Sequence, residues 1–119
     1  MRCLAKMLTE HDLAPRSGGF PVFIMHGLFQ SSGSFVTSEE RSLAFWLARQ
    51  GGYQVFLGNN RGVYDMGHKT LKRSDPRFWD YNIRELAIYD LPAMVDWIRK
   101  DTGYDKVRVC QIWTRGGSR

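Results

Sequence analysis

His26-Gly27-Leu28 follows directly on the apolar run Pro21-Val22-Phe23-Ile24-Met25. A glycine placed there permits a tight turn whose backbone amides face the carboxyl end of a sheet, the edge where open α/β folds place their ligands. His26 is a candidate proton acceptor or a residue that orders this turn. Other candidates for proton transfer are His11 and His68, which read as surface residues, and the carboxylates Asp75, Asp80 and Asp90. Aspartates favour turns and helix starts for local hydrogen-bonding reasons, so these three read as turn or cap residues. Cys3 and Cys110 have no second pair at metal-ligand spacing. They imply two free thiols, with neither a zinc site nor a disulfide framework; no other metal and no cofactor are expected.

The elements that must position these groups alternate along the chain. Pro21 to Met25 is a short continuous apolar run bounded by Gly19 and Gly27, the pattern of a strand buried on both faces. Thr37-Ser38-Glu39-Glu40 offers a hydroxyl and a carboxylate three residues apart, a reciprocal helix start. Leu43, Trp46 and Leu47 recur at helical spacing and Gly51-Gly52 ends the run, which predicts a helix over about 38–50. Tyr53 to Leu57 is a second buried strand, and the first β-α-β unit is expected to be right-handed. Val63 to Tyr81 lacks any sustained period. Asn82 with Glu85 signals another helix start; Pro92 predicts a break between a short helix to about Tyr89 and a second from Leu91, which Gly103 caps. Lys106 to Cys110 is a third strand. The fold class is α/β, with about three parallel strands and crossover helices. The chain divides into a leader over 1–20, a core over 21–110 and a tail over 111–119.

Composition is that of a packed protein: 43% hydrophobic and 13% aromatic against 24% charged. Seventeen basic and 12 acidic residues leave a net charge of +5. Part of the excess clusters at His68, Lys69, Lys72, Arg73 and Arg77. No basic and aromatic residues alternate along a strand, so the cluster reads as a solvated loop and no nucleic-acid partner is expected. Met1 to Leu8 contains Arg2 and Lys6 ahead of Glu10, His11 and Asp12, so no apolar run of signal-peptide length forms. No segment approaches the ~20 apolar residues of a membrane span. On these features the chain is expected to be intracellular and soluble.

Five ordered blocks carry a resemblance: Pro21 to Ser32, Leu57-Gly58-Asn59-Asn60-Arg61-Gly62, Ser74 to Asp80, Tyr89-Asp90-Leu91-Pro92-Ala93 and Thr102 to Lys106. Together they resemble the acid-lipase family of α/β-hydrolases, which includes gastric and lysosomal acid lipases and fungal sterol ester hydrolases. Gln30-Ser31-Ser32 is most similar to the fungal branch. The resemblance implies a partial α/β-hydrolase fold and a lipase or sterol esterase that cleaves triacylglycerols or sterol esters with a serine, histidine and acid triad. It also implies that the Leu28 amide helps hold the oxyanion of the tetrahedral intermediate, with His26 and Gly27 shaping the turn. A preorganised amide needs no reorganisation when that charge appears. The family's base lies near its C-terminus, which makes His26 a turn-ordering residue. Phe78, Trp79 and Tyr81 are expected to line an acyl cleft or to pack against the helix that follows.

The resemblance covers residues 21–107. After the third strand the family presents Gly-His-Ser-Gln-Gly, the sharp turn that exposes a nucleophilic serine. This chain reads Gln111 to Arg119 instead, where Gly116-x-Ser118 is half of that motif. The expectation is a front part of a hydrolase, with no catalytic residue of the triad and inactive alone. Its third strand is expected to be an open edge prone to self-association or aggregation, which Arg108 and Lys106 would blunt. The competing expectation is a non-catalytic module that pairs through that edge.

Overall fold

The computed structural model describes residues 19–27, 30–63 and 67–111. Three parallel strands, β1 (Pro21–Met25), β2 (Gln54–Gly58) and β3 (Arg108–Gln111), form one sheet in the order β2-β1-β3. Pro21 pairs with Gln54 and Met25 with Gly58 on one side, and Val22 pairs with Arg108 and Met25 with Gln111 on the other. The unbroken apolar run of β1 has a direct cause. Val22 and Ile24, with Val55 and Leu57 of β2, pack against Ala44 and Ala48 of α1 (Leu43–Arg49) and against Phe35. Phe23, Met25 and Phe56 point the other way, onto Met94 and Ile98 of α3 (Leu91–Thr102). With a core on each face, no position of β1 is left for a polar side chain.

The first helix is shorter than the periodicity predicts. Glu39 sits at φ +47°, in the left-handed region, which interrupts helical geometry. Residues 39–41 make only a 3₁₀ turn, and the α-helix begins at Leu43. The predicted Thr37–Glu40 start does not form. The Thr37 hydroxyl donates to Gly33 O and Glu40 pairs with Arg49 across the exposed surface.

The start at Asn82 forms as a full capping box: Asn82 accepts from the Arg84 amide and the Glu85 carboxylate accepts from the Asn82 amide. Pro92, in contrast, does not break the helix. The α-helical turn α2 (Ile83–Glu85) passes through a π segment, Leu86–Asp90, straight into α3. The Leu91 amide reaches back five residues to Leu86 O. This wide turn lies where the Pro92 ring would crowd the carbonyl four residues before it and where proline has no amide to offer that carbonyl, so the π geometry accommodates both. Gly103, at φ +75°, closes α3. β3 begins two residues later than the sequence pattern suggests, at Arg108.

Candidate active site at the strand ends

β1 sends its chain to the face that carries α1, and β2 sends its chain to the face that carries α3. Adjacent parallel strands whose connections leave on opposite faces open a crevice at their carboxyl ends. A cavity of about 770 Å³ lies there. His26, Gly27, Gln30, Ser31 and Ser34 line it from the β1 exit, and Asn60, Arg61, Gly62 and Val63 from the β2 exit. Trp79, Tyr81 and Leu86 close the remaining wall.

Consecutive asparagines stitch the two exits together. Asn59 Oδ1 accepts from the Ser32 amide at 2.8 Å and its Nδ2 donates to Ser32 Oγ at 2.8 Å. The Asn60 amide donates to His26 Nε2 at 3.2 Å. A main-chain amide can only donate, so Nε2 is the unprotonated nitrogen and Nδ1 carries the hydrogen. Nδ1 then donates to Gly27 O at 2.8 Å. His26 is 3% exposed, with one ring nitrogen engaged within its own turn and the other by the β2 exit. Gln30 completes the turn: its side-chain oxygen accepts from the Gly27 amide and its own amide donates to Gly27 O.

The β2 exit is held from below by a buried ion pair. Asp90, 1% exposed, takes the Arg61 guanidinium through Nη2 at 2.6 Å and Nε at 2.9 Å, and accepts the Arg61 main-chain amide at 3.0 Å. Tyr81 Oη donates to Arg61 O at 3.0 Å. Gly62 follows at φ +82°, and a Cβ there would meet Tyr81 Oη at 1.8 Å, so both conformation and space demand glycine. Arg73 covers the outside, donating to the Val63 and Gly62 carbonyls while its guanidinium lies 4.8 Å from the Trp79 ring centre.

With this geometry in view, the likeness to known proteins is informative. The chain is 42% identical over 103 residues to Lipase 1 of Drosophila melanogaster, a match covering 85% of the chain and 23% of that protein. It is 43% identical over 90 residues to triacylglycerol lipase 1 of Arabidopsis thaliana, covering 73% of the chain and 23% of the relative. With human lysosomal acid lipase/cholesteryl ester hydrolase it shares 38% over 87 residues, 72% of the chain and 22% of the relative. The chain belongs to the acid-lipase family. It spans less than a quarter of the length of these relatives. No protein-family model matches it.

Among the residues singled out from the sequence, the structure brings His26, Gly27, Trp79 and Tyr81 to one cavity. Phe78 is buried instead, edge-on to Trp79. Leu28, His11, Cys3 and Ser118 lie outside the described residues. Asp75 caps the 3₁₀ turn Pro76–Trp79 by accepting from the Arg77 amide. The Arg77 guanidinium beside it holds its carboxyl below the usual carboxylate range. Asp80 ends the same turn. Asp90 is the correction. It makes no side-chain cap bond at the start of α3, because its carboxylate is turned inward onto Arg61. His68 is half-buried rather than a surface group: Nδ1 accepts the Thr70 and Leu71 amides, and the ring packs edge-on to Phe78. Arg73 likewise departs from the solvated-loop reading of its cluster, since it clamps the β2 exit.

Reading the sequence missed Arg61, Asn59 and Asn60 as a unit. Their signal was available, because Arg61 stands in the Leu57–Gly62 block and Asp90 in the Tyr89–Ala93 block, two of the five stretches that carry the family resemblance.

Proposed function

We propose that this chain supplies the oxyanion turn and one wall of the acyl cleft of a carboxylic ester hydrolase acting on triacylglycerols or sterol esters. The observation that carries the reading is the cavity at the ends of β1 and β2, walled on one side by the His26-Gly27 turn. Its apolar and aromatic wall of Val63, Trp79, Tyr81 and Leu86 suits an acyl chain, and the names of the relatives point to lipid esters. In this reading the Leu28 amide donates to the carbonyl oxygen as charge builds on it, and His26 orders the turn rather than acting as base. The 119 residues contain no Gly-x-Ser-x-Gly, so the polypeptide by itself forms no acyl-enzyme.

The reading is tested by grafting residues 21–107 in place of the matching segment of an acid lipase relative. The graft is expected to hydrolyse emulsified triolein or cholesteryl oleate, and Leu28→Pro within it, which deletes the amide, to lower kcat by about 10²–10³-fold. The isolated 119-residue chain is expected to show no turnover. A folded graft that is inert, or one indifferent to Leu28→Pro, would sink the proposal.

One observation favours a second reading, in which the chain pairs with a partner through its sheet edge. Among the described residues β3 stands at the edge of the sheet, with Arg108, Val109 and Gln111 exposed. An unpaired edge of this kind is a template for strand addition. Light scattering during size-exclusion chromatography separates the cases: a complex of fixed stoichiometry supports the second reading, and a monomer or heterogeneous aggregate opposes it.

A further inference from the structure

We infer that Asp90 is a positioning residue for the oxyanion turn, acting from the opposite face of the sheet through a chain of four groups. The inference rests on the proposed role of the turn. Asp90 accepts the Arg61 main-chain amide at 3.0 Å as well as its guanidinium, and Tyr81 Oη takes the carbonyl of the same residue. Both peptide groups of Arg61 are thereby held. The neighbouring Asn60 amide is directed at His26 Nε2, which leaves the imidazole hydrogen on Nδ1 and directs it to Gly27 O. The peptide group that begins with the Gly27 carbonyl is planar. A bond that sets the direction of that carbonyl therefore fixes the orientation of the turn at Gly27.

The π segment is part of the same device. Ile88 and Tyr89 are half or more exposed, yet Asp90, the last residue of that segment, is buried. The extra residue in the wide turn swings this carboxylate under the β2 exit while α3 keeps Met94 and Ile98 against the sheet. Single π turns inside α-helices recur at functional positions.

The experiment is long-range ¹⁵N NMR of His26 in the 119-residue chain, which distinguishes the protonated ring nitrogen from the bare one. The wild-type ring is expected to carry its hydrogen on Nδ1; a ring carrying it on Nε2 overturns the inference at once. Asp90→Ala removes the acceptor and is expected to abolish the Nδ1–H signature and shift the Asn60 amide. Because that variant strands Arg61 and is at risk of unfolding, the double variant Asp90→Leu with Arg61→Met removes both charges while still leaving the residue 61 amide without its acceptor. It is expected to lose the same signature. A folded variant of either kind that keeps Nδ1–H and an unmoved Asn60 amide overturns the positioning role. None of these readouts needs ester hydrolysis, so the inference and the hydrolase reading fail separately.

Discussion

Phe23 of β1 and Val109 of β3 are paired across the sheet, yet Phe23 is fully buried while Val109 is 44% exposed. β1 has a strand on each edge and a helix on each face; among the described residues β3 has one neighbouring strand, β1, and its side chains are mostly exposed. The same contrast extends to the loops. The exits of β1 and β2 are joined by the Asn59 side chain on Ser32 and by the Asn60 main-chain amide on His26, while Asp90 and Tyr81 hold Arg61 of the β2 exit. The half of the molecule that carries the cavity is therefore tied together by its own residues, while β3 contributes one row of main-chain bonds. Burial and side-chain bonding where a ligand would sit, and exposure at the edge, follow from which strands are enclosed.

The sharpest way to break this comparison is to cut the same kind of apolar mass from each side. Phe23→Ala is expected to cost about 3–5 kcal/mol, since the ring is removed from a packed core. Val109→Ala is expected to change stability by less than about 0.5 kcal/mol. Urea titrations of the two variants decide it, and comparable losses would mean that β3 is as enclosed as β1.

A smaller effect is expected in the β2 exit. Gly62→Ala places a Cβ at positive φ and against Tyr81 Oη, and is expected to cost about 1–2 kcal/mol from conformation alone, more if Tyr81 must leave Arg61 O. Hydrogen exchange should then accelerate at Arg61 and Asn60 but not at Arg108 to Cys110. Uniform acceleration would show that the two halves open together.

The smallest effect concerns the capping box. The Asn82 amide, donating to the Glu85 carboxylate, holds that carboxyl below its usual range. A group whose folded pKa is depressed stabilises fully above its unfolded value, about 4.3, and this contribution fades as pH falls through the folded value. The stability gap between wild type and Glu85→Gln is expected to narrow on acidification across that window. A gap that is flat with pH would remove the capping box from the account of how the helix beneath the cavity is anchored.

Much of the architecture was legible from pattern alone. Continuous apolar runs marked β1 and β2 because both faces of each are covered, and Asn82 with Glu85 marked a helix start because the signal is local and complete within four residues. The start of α1 was misplaced because Thr37 and Glu40 have other partners, Gly33 O and Arg49, and because Glu39 takes a left-handed conformation that no pattern records. Pro92 was read as an interruption because the local rule for proline considers only an α-helical turn. In the site, His26 and Gly27 stood out through their place after a strand. Asp90 did not, since its partner lies 29 residues away.

Residue order by itself determined the sequence of strands and helices, though not where α1 begins or that 83–102 is continuous, and also which glycine ends α3 and the family to which the chain belongs. These depend on short-range periodicity, capping and identity along the chain. The tertiary structure alone decided that β1 lies between β2 and β3, that the two exit loops meet over a cavity, and that Asp90 is a buried counter-ion rather than a helix cap. Each of these depends on which face of the sheet a connection takes, and that choice brings together groups whose separation in sequence carries no local signal.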